Sequence, residues 1–412
     1  MEKTTGRRAI VILFLTMFIV MVGFGVIMPI LPFYAENMGA SATDLGLLFA
    51  TYSIIQFIFS PIWGQASDRL GRKPVILVGL IGFSLSFLIF GLATSLWMLF
   101  AARILGGVLS SAVLPTTMAY VADTTDEEAR GGGMGIMGAA MGMGVIFGPA
   151  IGGFLGAISP STPFFFSAAL ALGVALFALT FLPESLSATA RQEARVNGAR
   201  RSGLVEVFAA LRGPLAFIFV LALLASFASA NLDATFALFS EAHLGFGAAE
   251  MGVVFTAMGI VMALTQGLLV GRFINRWGEE RMIQLGLLSS ALGFILFLLT
   301  FNLPSVVVVM ATMGFGNAAL RPAINSLVSK RTPADEQGTM LGVVNSYNSL
   351  GRVFGPVAGG LIFDMLGYRW PYIVGAVLFF LILGLSVFLF NRSRPAPAGG
   401  VWASQPATSV DR

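Results

Sequence analysis

The sequence predicts an all-α membrane protein of twelve transmembrane helices arranged as two pseudo-symmetric six-helix halves, and three observations carry that prediction. The 412 residues are 57% hydrophobic and only 11% charged, far outside the composition of soluble globular domains. Apolar stretches of about 20 residues, enough at about 1.5 Å per residue to cross a hydrocarbon core of about 30 Å, recur twelve times. The loop from Gly64 to Pro74 is echoed 207 residues later by Gly271 to Arg281. Because lipid offers no partner to bare backbone groups, each apolar stretch must be a helix.

The first half, residues 1–182, opens with a span near 9–33. That run is too long for the apolar core of a signal peptide and closes on Gly25, Pro29 and Pro32 without a small-residue cleavage site, so it reads as a retained span. Spans two and three, near 44–64 and 75–94, flank the loop Gly64-Gln-Ala-Ser-Asp-Arg-Leu-Gly-Arg-Lys-Pro74. Span four, near 97–121, holds Arg103, Gly106 and Gly107 and leads to Asp123. Span five, near 133–157, is the glycine-rich one: spacing of four places Gly138, Gly142 and the Gly148–Gly152 pair near one face, open to close approach by a neighbouring helix. Span six, near 163–182, ends at a polar interval, 183–213, with Arg191, Arg195, Arg200 and Arg201, readable as an interfacial helix or as a flexible connector.

The second half, 214–391, repeats the order with spans near 214–240, 249–270, 282–301, 305–328, 339–363 and 370–391. Pro115 falls on Pro322, Gly131 on Gly338, and Gly148-Pro149-Ala-Ile-Gly152-Gly153 on Gly355-Pro356-Val-Ala-Gly359-Gly360. The tail, 392–412, with Pro395, Pro397, Gly399 and Gly400, is expected to be disordered. A duplicated bundle of this kind is typical of membrane transporters.

Lysine and arginine set the topology. Twenty of the 24 lie at the termini or in alternate loops and only Arg369 lies in the intervening loops, so both termini are predicted to be cytoplasmic in a multi-pass protein of the cell's cytoplasmic membrane. The net charge of +4 therefore reports topology, not a nucleic-acid-binding face. Zero cysteines exclude a disulfide framework, a thiolate zinc site and a cysteine nucleophile. The single histidine, His243, has no second ligand beside it, so no metal site is expected. No phosphate-binding loop with Lys and Ser or Thr is present, which excludes ATP as energy source, and no H-E-x-x-H, aspartate pair or serine–histidine couple suggests an enzyme.

The other three basic residues, Arg103, Arg321 and Arg352, lie inside spans with one carboxylate, Asp233. A charge at the bilayer centre costs about 3 kcal/mol on insertion scales, so each is a functional candidate. Asp233 admits three readings: a proton or cation site, a static pair with Arg321 or Arg352, or a chance residue on the outer face of the bundle. Glu241, at the outer end of span seven, is a weaker second acid.

The Gly64–Pro74 loop fits the pattern G-x-x-x-D-R-x-G-R-K, and with Arg103-x-x-Gly106-Gly107, the Gly148-Pro149-x-x-Gly152-Gly153 motif and Gly25, Pro29 and Pro32 it resembles the major facilitator superfamily over the whole chain. The closest resemblance is to the twelve-span drug:proton antiporters, especially quinolone and multidrug efflux pumps of Gram-positive bacteria. That resemblance implies proton-coupled export with no cofactor beyond the proton. It also implies a latch made by Gly64, Asp68, Arg72 and Asp123 that breaks when the cytoplasmic side opens. Asp68 is suited to accept from helix amino-terminal N–H groups and Arg72 to fork a carboxylate. Asn275 and Glu279 replace Asp68 and Arg72 in the second half, so the latch is expected to have decayed there.

The antiporter motif Gly148, Pro149, Gly152 and Gly153 lets span five bend and slide at a close contact. The resemblance implies that Arg103 influences proton binding and that Arg321, before the span-ten proline, lines the cavity. Arg321 and Arg352 are grouped with Asp233 as proton-coupling candidates because a nearby arginine weakens a carboxyl's hold on its proton, and Ala318 stands where some relatives carry a second carboxylate. The substrate cavity is expected at mid-membrane between the halves, lined by Tyr52, Gln56, Phe236, Phe239, Asn317, Asn345, Tyr347 and Asn348. With 37 phenylalanines and 19 methionines it suits bulky lipophilic cations or zwitterions, so the expected partners are the bilayer and a lipophilic small molecule, with the chain acting as a monomer. A dedicated exporter of one metabolite, a sensor and a lipid flippase are the competing readings.

Overall fold

The computed structural model describes residues 2–189, 191–192, 210, 213, 215–333 and 336–392, with the side chains of 2–7, 127–129 and 392 left aside. Most of the interfacial linker, including 193–209, and the tail 393–412 fall outside the described residues, and the expectations for them with those residues. Twelve helices are long and apolar enough to cross a bilayer: α1 Arg8–Glu36, α2 Ala42–Leu70, α3 Arg72–Leu92, α4 Leu96–Thr124, α5 Arg130–Gly156, α6 Thr162–Phe181, α7 Ala216–Leu244, α8 Ala248–Trp277, α9 Glu279–Phe297, α10 Leu303–Lys330, α11 Gln337–Leu366 and α12 Trp370–Asn391. The chain is a multi-pass membrane protein, and no strand occurs among the described residues.

Most of these helices outrun the apolar stretches that predicted them. The α8 helix continues to Trp277, seven residues past its apolar part, because hydropathy senses lipid while helix ends are fixed by local chemistry. The start of α2 is a capping box, in which the Ser41 hydroxyl accepts from Asp44 N at 3.1 Å and the Asp44 carboxylate accepts from Ser41 N at 2.9 Å. Between α2 and α3 a single residue, Gly71, turns the chain at φ 108°, and its repeat Gly278 turns α8 into α9 at φ 83°. Both lie in the left-handed region that favours glycine. Two departures from regular α-helix were not signalled by periodicity: a 3₁₀ turn at Ser110–Ala112 in α4 and a π-helical turn at Thr265–Val270 in α8.

Each half packs its own core. One core runs from Ala9 to Leu182 and takes in Leu238 from α7, with Phe87, Phe90 and Phe164 in mutual ring contact, and the other runs from Leu215 to Phe390 around Phe294, Phe297 and Tyr372. The halves meet mainly through α2 with α11 and α5 with α8.

Those seams are tight at one end only. On the face away from the chain termini, the far face, a Cβ on Gly153 would lie 2.7 Å from Gly252 Cα, and Asp364 accepts from Thr43 N at 2.8 Å and from the Thr43 hydroxyl at 2.5 Å. Towards the terminus face, the near face, Gly64, Gly138, Gly142, Gly267, Gly271, Gly338 and Gly342 have nothing among the described residues within 4 Å of their Cβ positions. The molecule is therefore sealed at the far face and splayed at the near face. Gly138 and Gly142, expected to receive a neighbouring helix, meet none among the described residues in this conformation.

Candidate functional site

Between the halves lies a cavity of about 1300 Å³, part of it open to solvent. Its widest wall is α7, where Ala222, Ala225, Ser226, Ser229, Ala230 and Asp233 follow one another at helical spacing and leave room by being small. Asn317 and Arg321 enter from α10, Asn348 and Arg352 from α11, and Gln266 from α8, while the first half contributes Phe24, Gly25, Met28, Val145 and Pro149. The polar side is thus almost wholly the work of the second half.

Asp233 is half-buried and is the one carboxylate among the lining residues. Arg321 and Arg352 are exposed to the cavity. No ion pair within 4 Å joins Asp233 to either arginine among the described residues, yet Arg352 is near enough to act on Asp233 through space. The static-pair reading thus lacks its contact, and the carboxylate is directed at the space between the halves. Two neutral pairs stiffen the wall beside it: Ser226 Oγ donates to Asn348 Oδ1 at 2.7 Å, and Ser229 Oγ donates to Asn317 Oδ1 at 3.0 Å. Ser226 and Ser229 were missed by sequence reading, although their i, i+3 and i+7 spacing to Asp233 could have marked them.

Several expected lining residues lie elsewhere. Phe236 and Phe239 are fully buried in the second-half core, against Phe255, Phe297 and Tyr372; it is Phe255, not they, that reaches the cavity. Tyr347 is buried and stacked on Phe219, and Asn345 is exposed but does not line the cavity. Tyr52 and Gln56 do not line it either: Gln56 Nε2 donates to the Tyr52 hydroxyl at 3.4 Å, and Tyr52 opens onto a small pocket inside the first half. An apolar helix has two or three buried faces, and residue type alone does not say which one meets the cavity.

That small pocket belongs to Arg103. Arg103 is 3% exposed and its guanidinium lies over the rings of Phe49, Tyr52 and Phe90 at 5.0, 5.6 and 5.5 Å, with Nε and Nη2 lacking a hydrogen-bond partner among the described residues. Arg103 is therefore apart from Asp233, although Tyr52 is near enough to feel both Arg103 and Arg352. Glu241 is at the far face, within hydrogen-bonding reach of the Glu36 carboxyl at the end of α1.

The Gly64–Pro74 segment, expected as a loop, is helical on both sides of Gly71, and Arg72, at the start of α3, is its hub. Its Nη1 donates to Asp68 Oδ1 and to Ser67 Oγ, both at 2.6 Å, and its Nε donates to Asp123 Oδ2 at 2.9 Å. The acceptor for the α3 amino terminus is not Asp68, as expected, but Glu184, which takes Arg72 N at 2.8 Å and Lys73 N at 3.3 Å. Ser67, Asp68 and Asp123 belong to the first half, and Glu184 follows directly after its last helix. The cluster is intact, not broken, while the near face is open.

Nor has the second copy decayed. Lys330 stands at the position equivalent to Asp123, and its Nζ meets Glu279 Oε1 at 2.5 Å, so the Arg72–Asp123 pair recurs with its signs exchanged. A search for identical residues misses this; a search for complementary charge would have found it.

The antiporter motif divides its contacts. Gly148 and Gly152 pack against α1 in their own half, and Gly153 crosses to Gly252 of α8. The second copy repeats the plan: Gly355 and Gly359 lie on α7, and Gly360 crosses to Ala42 of α2. Pro149 lines the cavity.

This is the architecture of an alternating-access membrane transporter. The Major Facilitator Superfamily profile matches residues 13–247 and 218–405, and the chain belongs to that superfamily. Multidrug resistance protein 2 of Bacillus subtilis (strain 168) is 34% identical over 401 residues, 97% of this chain and 100% of that protein. The class B tetracycline resistance protein of Escherichia coli is 31% identical over 373 residues, 89% of this chain and 92% of that one. Among solved structures, a bacterial homologue of the human lysosomal transporter Spinster, inward-facing and unoccupied, matches with a TM-score of 0.76 at 17% identity over 96% of this chain and 99% of that one, a likeness of fold.

Proposed function

We propose that the protein is a proton-coupled antiporter that exports lipophilic drugs or dyes across the cytoplasmic membrane by alternating access. The observation that carries this reading is Asp233, a carboxylate at mid-span in a cavity sealed at one face and open at the other, with two arginines within the same space. A carboxyl that exchanges water on one side for water on the other as the halves rock takes its proton from one compartment and delivers it to the other. The lysine and arginine distribution makes the near face cytoplasmic, so the cavity is poised to load from the cell interior.

Arg321 and Arg352 set how tightly Asp233 holds its proton, and Arg103 acts on it at one remove through Tyr52. Glu241 with Glu36 meets protons at the far face. The Arg72 and Glu279 clusters keep each half rigid while it rocks. Gly153 and Gly360 release and re-form the far seams, and Pro149 lets α5 bend at the cavity. The proton is the coupling ion, no resident cofactor or metal takes part, and one chain holds the complete path, so the unit is a monomer.

Similarity to proteins named for multidrug and tetracycline resistance supports drugs as cargo. So does the cavity wall, since the Asn348 and Asn317 side-chain oxygens already accept from Ser226 and Ser229, which leaves fewer acceptors for a sugar or other single polar metabolite. Everted membrane vesicles test the reading. Acidifying the lumen is expected to drive uphill accumulation of a fluorescent drug, and a protonophore to collapse it. Accumulation indifferent to the gradient would contradict it.

A further inference from the structure

We propose that the cavity selects zwitterionic amphiphiles, molecules with a carboxylate and a basic amine on an apolar body, over permanent cations. This rests on the transporter reading above and narrows its substrate class. The lining holds two guanidiniums, Arg321 and Arg352, against one carboxylate, Asp233. None of the three is joined to another within 4 Å among the described residues, so none is held in an ion pair, and Arg352 has only a 3.3 Å hydrogen bond to the Ser349 hydroxyl. Whether Asp233 is ionised or protonated, at least one guanidinium is left without a counter-charge. A permanent cation would add charge of the same sign in a space where water screens poorly. A carboxylate supplies what is missing, in the planar geometry that a guanidinium grips with two hydrogen bonds.

The amine is the other half of the argument. Asp233 and Arg352 stand on the touching helices α7 and α11, near enough for through-space interaction and farther apart than an ion-pair contact. An ammonium placed at Asp233 occupies the site a proton would take, so cargo and proton exclude one another, which is the thermodynamic condition for exchange. An anion without an amine would bind best with Asp233 protonated and would not compete. The apolar body meets Phe24, Met28, Phe255, Met258 and Met262, adaptable contacts that fix no particular ring shape.

Three probes separate the possibilities: norfloxacin, a zwitterion; its methyl ester, which keeps the amine and loses the carboxylate; and ethidium, a permanent cation. With the full chain in everted vesicles, norfloxacin is expected to show an apparent affinity tighter than either of the others by about tenfold or more, the scale of one charge-assisted hydrogen bond. Arg352→Gln and Arg321→Gln should each bring the norfloxacin-to-ester ratio towards one. Thermal-shift titration of the purified protein with the same probes reads the selection without coupling. Equal handling of ester and zwitterion by the native protein in both assays overturns the inference and leaves proton-driven export standing. A binding preference for the zwitterion with no response of transport to the gradient supports the selection and contradicts the antiporter reading instead.

Discussion

Arg72 and Glu279 occupy equivalent positions 207 residues apart, and each is held by an oppositely charged partner, Asp123 or Lys330, that is also equivalent. The Lys330 side chain is 65% exposed, so its bond to Glu279 contributes at most about 1 kcal/mol. Glu279→Lys is expected to lower Tm and slow transport, and the exchange Glu279→Lys with Lys330→Glu to restore most of both, read by thermal unfolding and vesicle uptake. A double variant no better than the single one would show that the two residues do not act as a pair. Asp68, Arg72, Asp123 and Asp233 were legible in the sequence because a charge beside or within an apolar run is conspicuous. Phe236 and Phe239 were misplaced because nothing in an apolar helix distinguishes the face that meets a core from the face that meets a cavity.

Helices α5 and α11 do equivalent work with equivalent glycines. In each, two glycines seat the helix on the first helix of its own half, and the next carries backbone across to the other half. Because a Cβ at Gly153 would lie 2.7 Å from Gly252 Cα, a bulky side chain there cannot fit without parting α5 from α8 at the far face. Gly153→Leu is therefore expected to shift the population away from the near-open form. The chain has no cysteine, so a single cysteine introduced at Met28, on the cavity wall, reports this directly. A membrane-impermeant thiol reagent applied at the far face should label it several-fold faster in the Gly153→Leu background, and unchanged labelling would refute the role. The glycine spacing was visible in the sequence; its assignment to a seam within one half or between halves was not, since that depends on which helix is opposite.

At the scale of the whole molecule, the hydropathy pattern and the internal repeat were enough to recover twelve spans and two halves, because a lipid solvent leaves the chain few alternatives. Which face is open was not legible: one sequence must serve both states, and only contacts distinguish them. The far seal includes Asp364 of α11, which accepts from Ala42 N at 3.2 Å as well as from Thr43 and so caps a helix of the opposite half. Asp364→Ala is expected to loosen the far face, widening the distance distribution between spin labels placed on the far ends of α2 and α11; an unchanged distribution would remove Asp364 from the seal. The central claim, that Asp233 couples the rocking of the halves to proton movement, is tested most directly by Asp233→Asn in everted vesicles with an acid lumen. The account predicts that uphill drug accumulation disappears while downhill exchange of labelled drug continues, and uphill accumulation at the native level would contradict it.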